Sequence, residues 1–212
     1  MPALRPPSPM EYFNPQDEFD QTRHRLPYWR QGEVPVFVTF RLSDSLPKAI
    51  YDAWLDRREA FLAAHPEPWD DETENDFHRQ FSDRIDAELD AAHGCCVLRE
   101  SRVQAIVVER LMKFHENRYR LLNFVIMPNH VHALFIPLDG ELLPDTLKGW
   151  KGVSSRLVHR EGLSILNPFW QPDYFDRLIR GPEHLAKTFA YIRENPAKAR
   201  LTSGFLYWED QV

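Results

Sequence analysis

The sequence holds only two cysteines, Cys95 and Cys96, and they are neighbours. Adjacent positions suit neither an ordinary disulfide nor a four-ligand zinc site, so both are read as packing residues and a disulfide scaffold is excluded. Long apolar runs are missing as well. The clearest one, at 121–127, falls far short of the roughly 18 to 20 residues needed to cross a bilayer. The first residues are Pro-rich and lack the basic start and apolar centre of a secretory signal. A loosely ordered arm at 1–22 and a cytoplasmic protein are expected. Internal repeats and low-complexity tracts are absent too. Finally, the chain lacks a positive balance: its formal charge is -6, which taken whole counts against a nucleic-acid partner.

The placement of the charge points the other way. With 212 residues, 43% hydrophobic and 27% charged, the chain has the size and composition of one globular domain, not of a disordered or collagen-like protein. Its charged residues are unevenly distributed. Residues 51–100 carry fourteen Asp and Glu against five Arg, whereas 145–200 carry ten Lys and Arg against six acids. An acidic segment therefore masks a mildly basic body.

Apolar periodicity predicts the elements. Residues 34–42 (VPVFVTFRL) read as a strand from their β-branched and aromatic content. A helix follows at 48–64, opened by Pro47. From 70 to 92 the acids alternate with Phe77, Phe81, Ile85 and Leu89, a four-residue spacing that predicts one helix with an apolar stripe. A short extended piece is expected at 95–98 and a helix at 102–115. Two β-rich runs, 119–127 and 131–137, are joined by Pro128, Asn129 and His130 and should pair antiparallel. A helix at 142–159, a short strand at 175–179 and a helix from Pro182 to Asn195, ended by Pro196, complete the order. The fold class is thus α+β, an antiparallel sheet with helices packed on it.

Two local patterns carry chemistry. In MPNHVHAL (127–134), His130 and His132 share one face of a strand while Val131 points to the other, which makes a two-imidazole metal site. In YIRENP (191–196), Tyr191 and Asn195 are one helical turn apart on one face. Read alone, the histidines suit core packing as well as a metal, and the tyrosine suits a boundary position with its ring packed and its hydroxyl wet.

Together with FWQPDYFDRLIR before the last helix and RLPYWRQGEVPVFVTFRL near the start, these motifs resemble the REP-associated tyrosine transposases, relatives of the single-tyrosine HUH transposases of bacterial insertion sequences. The resemblance spans 23–201, with the acidic region at about 51–100 as a helical insertion and 202–212 as a C-terminal tail. It implies a ferredoxin-like or RRM-like HUH nuclease fold. It further implies a DNA transposase and endonuclease that nicks and rejoins single-stranded or hairpin DNA, such as REP-like palindromes, through a 5′-phosphotyrosine on Tyr191. His130, His132 and Asn195 would hold Mg²⁺ or Mn²⁺. A phenol with a pKa near 10 is a poor nucleophile alone and needs that cation.

Candidates for DNA contact are Arg23, Arg25, Arg30, Lys148, Lys151, Arg177, Arg180 and Lys187 on phosphates, and Trp29, Trp150, Trp170 and Tyr174 for base stacking. A monomer bound to DNA of the bacterial nucleoid is expected, with a dimer as the other state. No Asp or Glu adjoins the histidine pair in sequence, which counts against plain metal-dependent hydrolysis but not against strand transfer. The chain departs from the family in having Ala197 to Leu201 (AKARL) where a Gly often follows the NP. Two rival readings stay open: a domesticated hairpin-binding protein that no longer cleaves, and a metal-dependent phosphoesterase that uses water.

Overall fold

Alternating apolar residues build a two-faced sheet in the computed structural model, which describes residues 10–14, 20–22, 28–66, 69, 71–138 and 140–210. A small hairpin of β1 (Asp20–Thr22) and β2 (Tyr28–Arg30) precedes it. The main sheet contains β3 (Val36–Arg41), β4 (Tyr119–Ile126), β5 (His130–Pro137), β6 (Phe175–Leu178) and β7 (Leu206–Glu209) in the order β6-β3-β5-β4-β7. Every neighbouring pair in it is antiparallel. Counting β3 to β6 from one to four, the spatial order is 4-1-3-2, that of the ferredoxin-like βαββαβ unit.

The helices are α1 (Lys48–Ala64), α2 (Asp71–Phe77), α3 (Asp83–Asp90), α4 (Ser101–Met112), α5 (Leu143–Arg160) and α6 (Pro182–Lys198). On one sheet face, Val36, Val38, Phe40, Val131 and Phe135 bury against α4 and α5 in the largest core cluster. On the other, Leu122, Val125, Leu134 and Ile136 meet Ile192 of α6. Since strand side chains alternate, this second face also receives Phe37, Thr39 and Arg41 from β3 and His130 and His132 from β5.

The acidic region builds a third cluster from Trp54, Phe61, Phe81, Ile85 and Leu89. Phe175 of β6 packs against it, at 5.2 Å from the Trp54 ring, so the α1–α3 layer is fastened to the sheet edge. The chain leaves this layer through Gly94. Its φ of +86° and the 2.5 Å that would separate a Cβ from the Asp44 carbonyl oxygen leave room for glycine only. Asp44 also accepts the Cys95 N–H at 2.7 Å.

Four details correct the sequence reading. The helix expected over 70–92 is two helices with a π-helical segment, His78–Ser82, between them. The extended piece at 95–98 is instead a 3-10 turn, Val97–Arg99. Pro196 lies inside the last turn of α6 and does not end it. There it removes one donor only, and the turn closes through Ala199 N–H to Asn195 O and Leu201 N–H to Pro196 O. Leu206–Glu209, expected within a tail, is an edge strand. Trp208 stacks on Phe124 there, and Glu209 accepts two hydrogen bonds from Arg193, at 2.9 and 2.8 Å, tying α6 to the sheet.

Candidate active site

The β4–β5 turn places both histidines. Met127 N–H donates to His130 O, while the Asn129 and Pro128 carbonyls accept from Leu42 and Leu98, so the turn is held on both sides. His130 and His132 are fully buried, and their Nε2 atoms face each other at 3.1 Å. Each Nδ1 has a partner of its own. His130 Nδ1–H donates to Asn129 Oδ1 at 2.8 Å, an orientation fixed because Asn129 Nδ2 donates to His93 O. His132 Nδ1 meets Thr39 Oγ1 at 2.7 Å. A hydroxyl both donates and accepts, so Thr39 suits either tautomer of His132. Burial pulls His130 down to about 3 and, with His130 beside it, holds His132 well below its ordinary value. Both rings are therefore neutral at neutral pH and keep lone pairs for a ligand.

Helix α6 brings the tyrosine to this pair. The Tyr191 oxygen is 3.5 Å from His132 Nε2 and donates to Asp86 Oδ2 at 2.7 Å. Phe37 stacks on His132 and meets the Tyr191 ring edge-on, filling the space between strand and helix. Lys198 Nζ lies 4.8 Å from the Tyr191 ring centroid. One turn beyond Tyr191, Asn195 is 1% exposed, and among the described residues neither its Oδ1 nor its Nδ2 has a hydrogen-bond partner. A buried amide left unpaired costs about 1–3 kcal/mol per group, which marks Asn195 as a side chain prepared for a ligand.

The donor set fits a divalent cation. Two ligands at right angles around an ion with bonds of about 2.1 Å are about 3 Å apart, close to the observed 3.1 Å between the Nε2 atoms. A second group of possible ligands, His115, Glu116 and Asp210, has donor atoms within 4.8 Å of one another. Its imidazole is already committed. His115 Nδ1 accepts the Leu121 N–H at 3.1 Å, so the ring proton sits on Nε2 and leaves no lone pair there.

A family comparison covers these same residues. Residues 99–195 match the family model for IS200-like transposases. The matched segment is just under half of the chain. It runs from the turn before α4 to Asn195 and so contains His130, His132, Tyr191 and Asn195. No curated protein matches the chain. Eight chains of solved structures do. One is a REP-associated tyrosine transposase bound to a REP hairpin, at 14% identity and a TM-score of 0.45, covering 84% of this chain and 73% of its own. Another is a Deinococcus radiodurans R1 protein whose transposase assignment is itself provisional, at 15% identity and a TM-score of 0.37, covering 78% and 93%.

The residues expected at DNA divide sharply. Trp170 is a correction: it borders the α5 groove but is 4% exposed and its indole N–H donates to Ser154 Oγ, so it is packed into the core instead of standing free to stack on a base. Trp150 is likewise buried, with its N–H on the Tyr119 hydroxyl. Lys148, Lys151 and Tyr174 line an open groove of about 420 Å³ between α5 and the 167–174 loop. Lys151 donates to the Pro172 carbonyl at 2.7 Å, and burial draws it down to about 8. Arg177 is half-buried on β6, Arg180 is exposed over the Phe13 ring, and Lys187 is exposed and paired with Glu183. Trp29 and Arg30 are in β2, and Arg23 and Arg25 lie outside the described residues.

Three site residues escape a reading of the sequence. Thr39 and Asp86 reach the histidines and tyrosine from 93 and 105 positions away. Arg41 stands opposite His130 in the β3–β5 register and is 3% exposed, with Nη2 unpartnered among the described residues and its guanidinium 4.6 Å from the Tyr51 ring. The signal for Thr39 and Arg41 is the alternation of VFVTFR, which puts two polar residues on one face of an inner strand. Nothing local distinguishes Asp86 from the other acids around it.

Proposed function

We propose that the chain is a metal-dependent DNA strand transferase that nicks and rejoins single-stranded or hairpin DNA through a 5′-phosphotyrosine at Tyr191. The observation that carries this reading is the Tyr191 oxygen at 3.5 Å from a buried, neutral imidazole pair whose Nε2 atoms converge. The substrate class, including REP-like palindromes, follows from the resemblance of the motifs. His130, His132 and Asn195 would hold Mg²⁺ or Mn²⁺, which supplies Lewis-acid polarisation of the scissile phosphate. The core unit runs from 23 past 201 to include β7, and it acts as a monomer, because Tyr191 meets the histidines of its own chain.

The chain's own residues divide the remaining work. Thr39 and Asn129 fix the ring orientations of His132 and His130. Phe37 holds the phenol against His132, so the nucleophile is positioned before substrate arrives. Lys198 sets a positive charge against the ring whose oxygen gives up its proton. Attack of that oxygen on phosphorus, in line with the departing 3′-oxygen, breaks one phosphodiester and forms another. The bond energy is thereby kept for rejoining. Lys148, Lys151 and Tyr174 in the α5 groove, with Arg177, Arg180 and Lys187 beyond it, form the DNA track.

The test is covalent-adduct formation with labelled hairpin oligonucleotides drawn from the DNA flanking the gene. A denaturant-resistant protein–DNA species that requires Mn²⁺ or Mg²⁺ and vanishes in Tyr191→Phe and His130→Ala is the expected result. Cleavage that survives Tyr191→Phe without an adduct would make water the nucleophile. Tight hairpin binding with no cleavage would make the protein a binder.

A further inference from the structure

The acidic region is not a remote insertion, because its last helix delivers a carboxylate to the nucleophile. We propose that Asp86 of α3 is a catalytic residue, the base that takes the proton from Tyr191 as its oxygen attacks the phosphodiester. The inference rests on the phosphotyrosine reading above.

The Tyr191 hydroxyl donates to Asp86 Oδ2 at 2.7 Å, a short charge-assisted hydrogen bond, whereas its distance to His132 Nε2 is 3.5 Å. Lys198, also at the ring, is a cation and accepts nothing. The carboxylate is held by packing on either side: Ile85, the preceding residue, is 2% exposed, and Phe81 and Leu89 bury in the same cluster. Trp54 Nε1–H donates to Phe81 O at 3.1 Å and pins the π-helical segment that leads into α3 to α1. A π-helical segment of this kind, immediately before α3, is a feature frequent at functional sites. A helix buried on one side thus carries Asp86 on another, toward α6. Such an arrangement positions a base far better than a solvated surface acid.

A phenol is protonated at neutral pH and a carboxylate is a weak base toward it, so transfer accompanies bond formation and no free phenolate need accumulate. The Tyr191 proton passes to Asp86 Oδ2 while the phenolic oxygen forms its bond to phosphorus. The P–O3′ bond breaks with its electron pair on the 3′-oxygen, which takes a proton from solvent water. Asp86 then gives its proton to the hydroxide left behind and returns to carboxylate. Rejoining runs the same steps backwards.

The experiment uses the full chain, a hairpin oligonucleotide and Mn²⁺, with single-turnover adduct formation and hairpin affinity both measured. Asp86→Asn keeps the size of the side chain and should slow the adduct by about 10²–10⁴-fold while affinity stays within about twofold. Asp86→Glu should recover about tenfold of that loss. In the Asp86→Asn background, 3,5-difluorotyrosine at position 191, a more acidic phenol, should react faster than tyrosine because it needs the base less. In the wild-type background the same substitution should gain less, because Asp86 already takes the proton, whereas a merely structural Asp86 would give the same rate ratio in both backgrounds. The inference falls if Asp86→Asn forms adduct at the wild-type rate, or if it binds hairpin more tightly and reacts faster, which would make Asp86 a repelling cover. In those two cases the phosphotyrosine reading stands, since the wild-type adduct remains. Absence of any wild-type adduct would overturn both.

Discussion

Thr39 shows how much of this site depends on side chains that bear no chemistry of their own. Its hydroxyl meets His132 Nδ1 at 2.7 Å and holds the ring in place through that contact, whichever tautomer it carries. Thr39→Val keeps the shape and removes that control, and it should weaken Mn²⁺ binding by about 10–100-fold. Thr39→Ser should stay near wild type. Manganese titration followed by electron paramagnetic resonance measures both, and equal affinity in the valine variant would mean that the ring is oriented by Phe37 alone. At this scale the sequence is informative where the pattern is local. The His130–Val131–His132 alternation and the Tyr191 to Asn195 turn are short-range geometry, readable from strand and helix periods. The alternation of VFVTFR marks Thr39 and Arg41 only as two polar residues on one strand face, and Asp86 carries no local mark at all, because the partnerships of all three arise only when distant elements meet. Trp170 misleads for the converse reason: an aromatic beside Pro and Asp reads as exposed, yet its ring fills a space against Phe40 and Phe169.

Among the elements, the contact of α3 with α6 holds the most consequence. Asp86 and Asp90, one turn apart on α3, meet Tyr191 and the charge of Lys198 on α6. Burial raises Asp90 from 3.8 to about 6, with Lys198 pulling the other way. Between those values the native protein binds more protons than the unfolded chain, so stability falls as pH rises through the window and the loss is complete above about 6. Asp90→Asn should therefore stabilise the protein at pH 8 by on the order of 1 kcal/mol, after discounting for solvent at a half-exposed carboxyl. The gain should vanish near pH 4. Urea midpoints of the two proteins at both pH values measure it, and an equal gain at both would assign the effect to helix propensity.

The same layer shows what periodicity reads and what it misses. The stripe Phe77, Phe81, Ile85 and Leu89 is legible as a buried face, and three of its four residues are core. A strict four-residue spacing drifts by about 40° per step on an α-helix. The wider π-helical segment His78–Ser82 offsets part of that drift. One continuous helix is the simpler reading, and the packing of Phe81 against Phe61 and Trp54 selects the interrupted one. The four-residue strand β7 escapes notice because so short an edge segment is recognisable only by what it pairs with.

For the whole molecule, the net charge of -6 conceals a division of labour. The acids concentrate in the α1–α3 layer, whereas Lys148 and Lys151 line the groove on α5. If DNA follows that groove, each lysine on a phosphate releases about one counterion, and each contact steepens the fall of log affinity with log salt by about 0.7–0.9. At pH 7, Lys148→Ala and Lys151→Ala should each flatten the slope by that amount, weakening binding evenly across hairpin sequences. Burial adds a pH dependence to the Lys151 contact. Lys151 is drawn down to about 8, so its ammonium is largely lost at pH 9. Lys151→Ala should then leave the pH 9 slope unchanged while still flattening the slope at pH 7. An attached phosphate favours the ammonium and would move the transition upward, so the comparison belongs at low DNA concentration across pH 7 to 10. A Lys151→Ala slope equal to that of the wild type at pH 7 would place the DNA elsewhere, leaving the Lys151 ammonium as a tie between α5 and the Pro172 carbonyl.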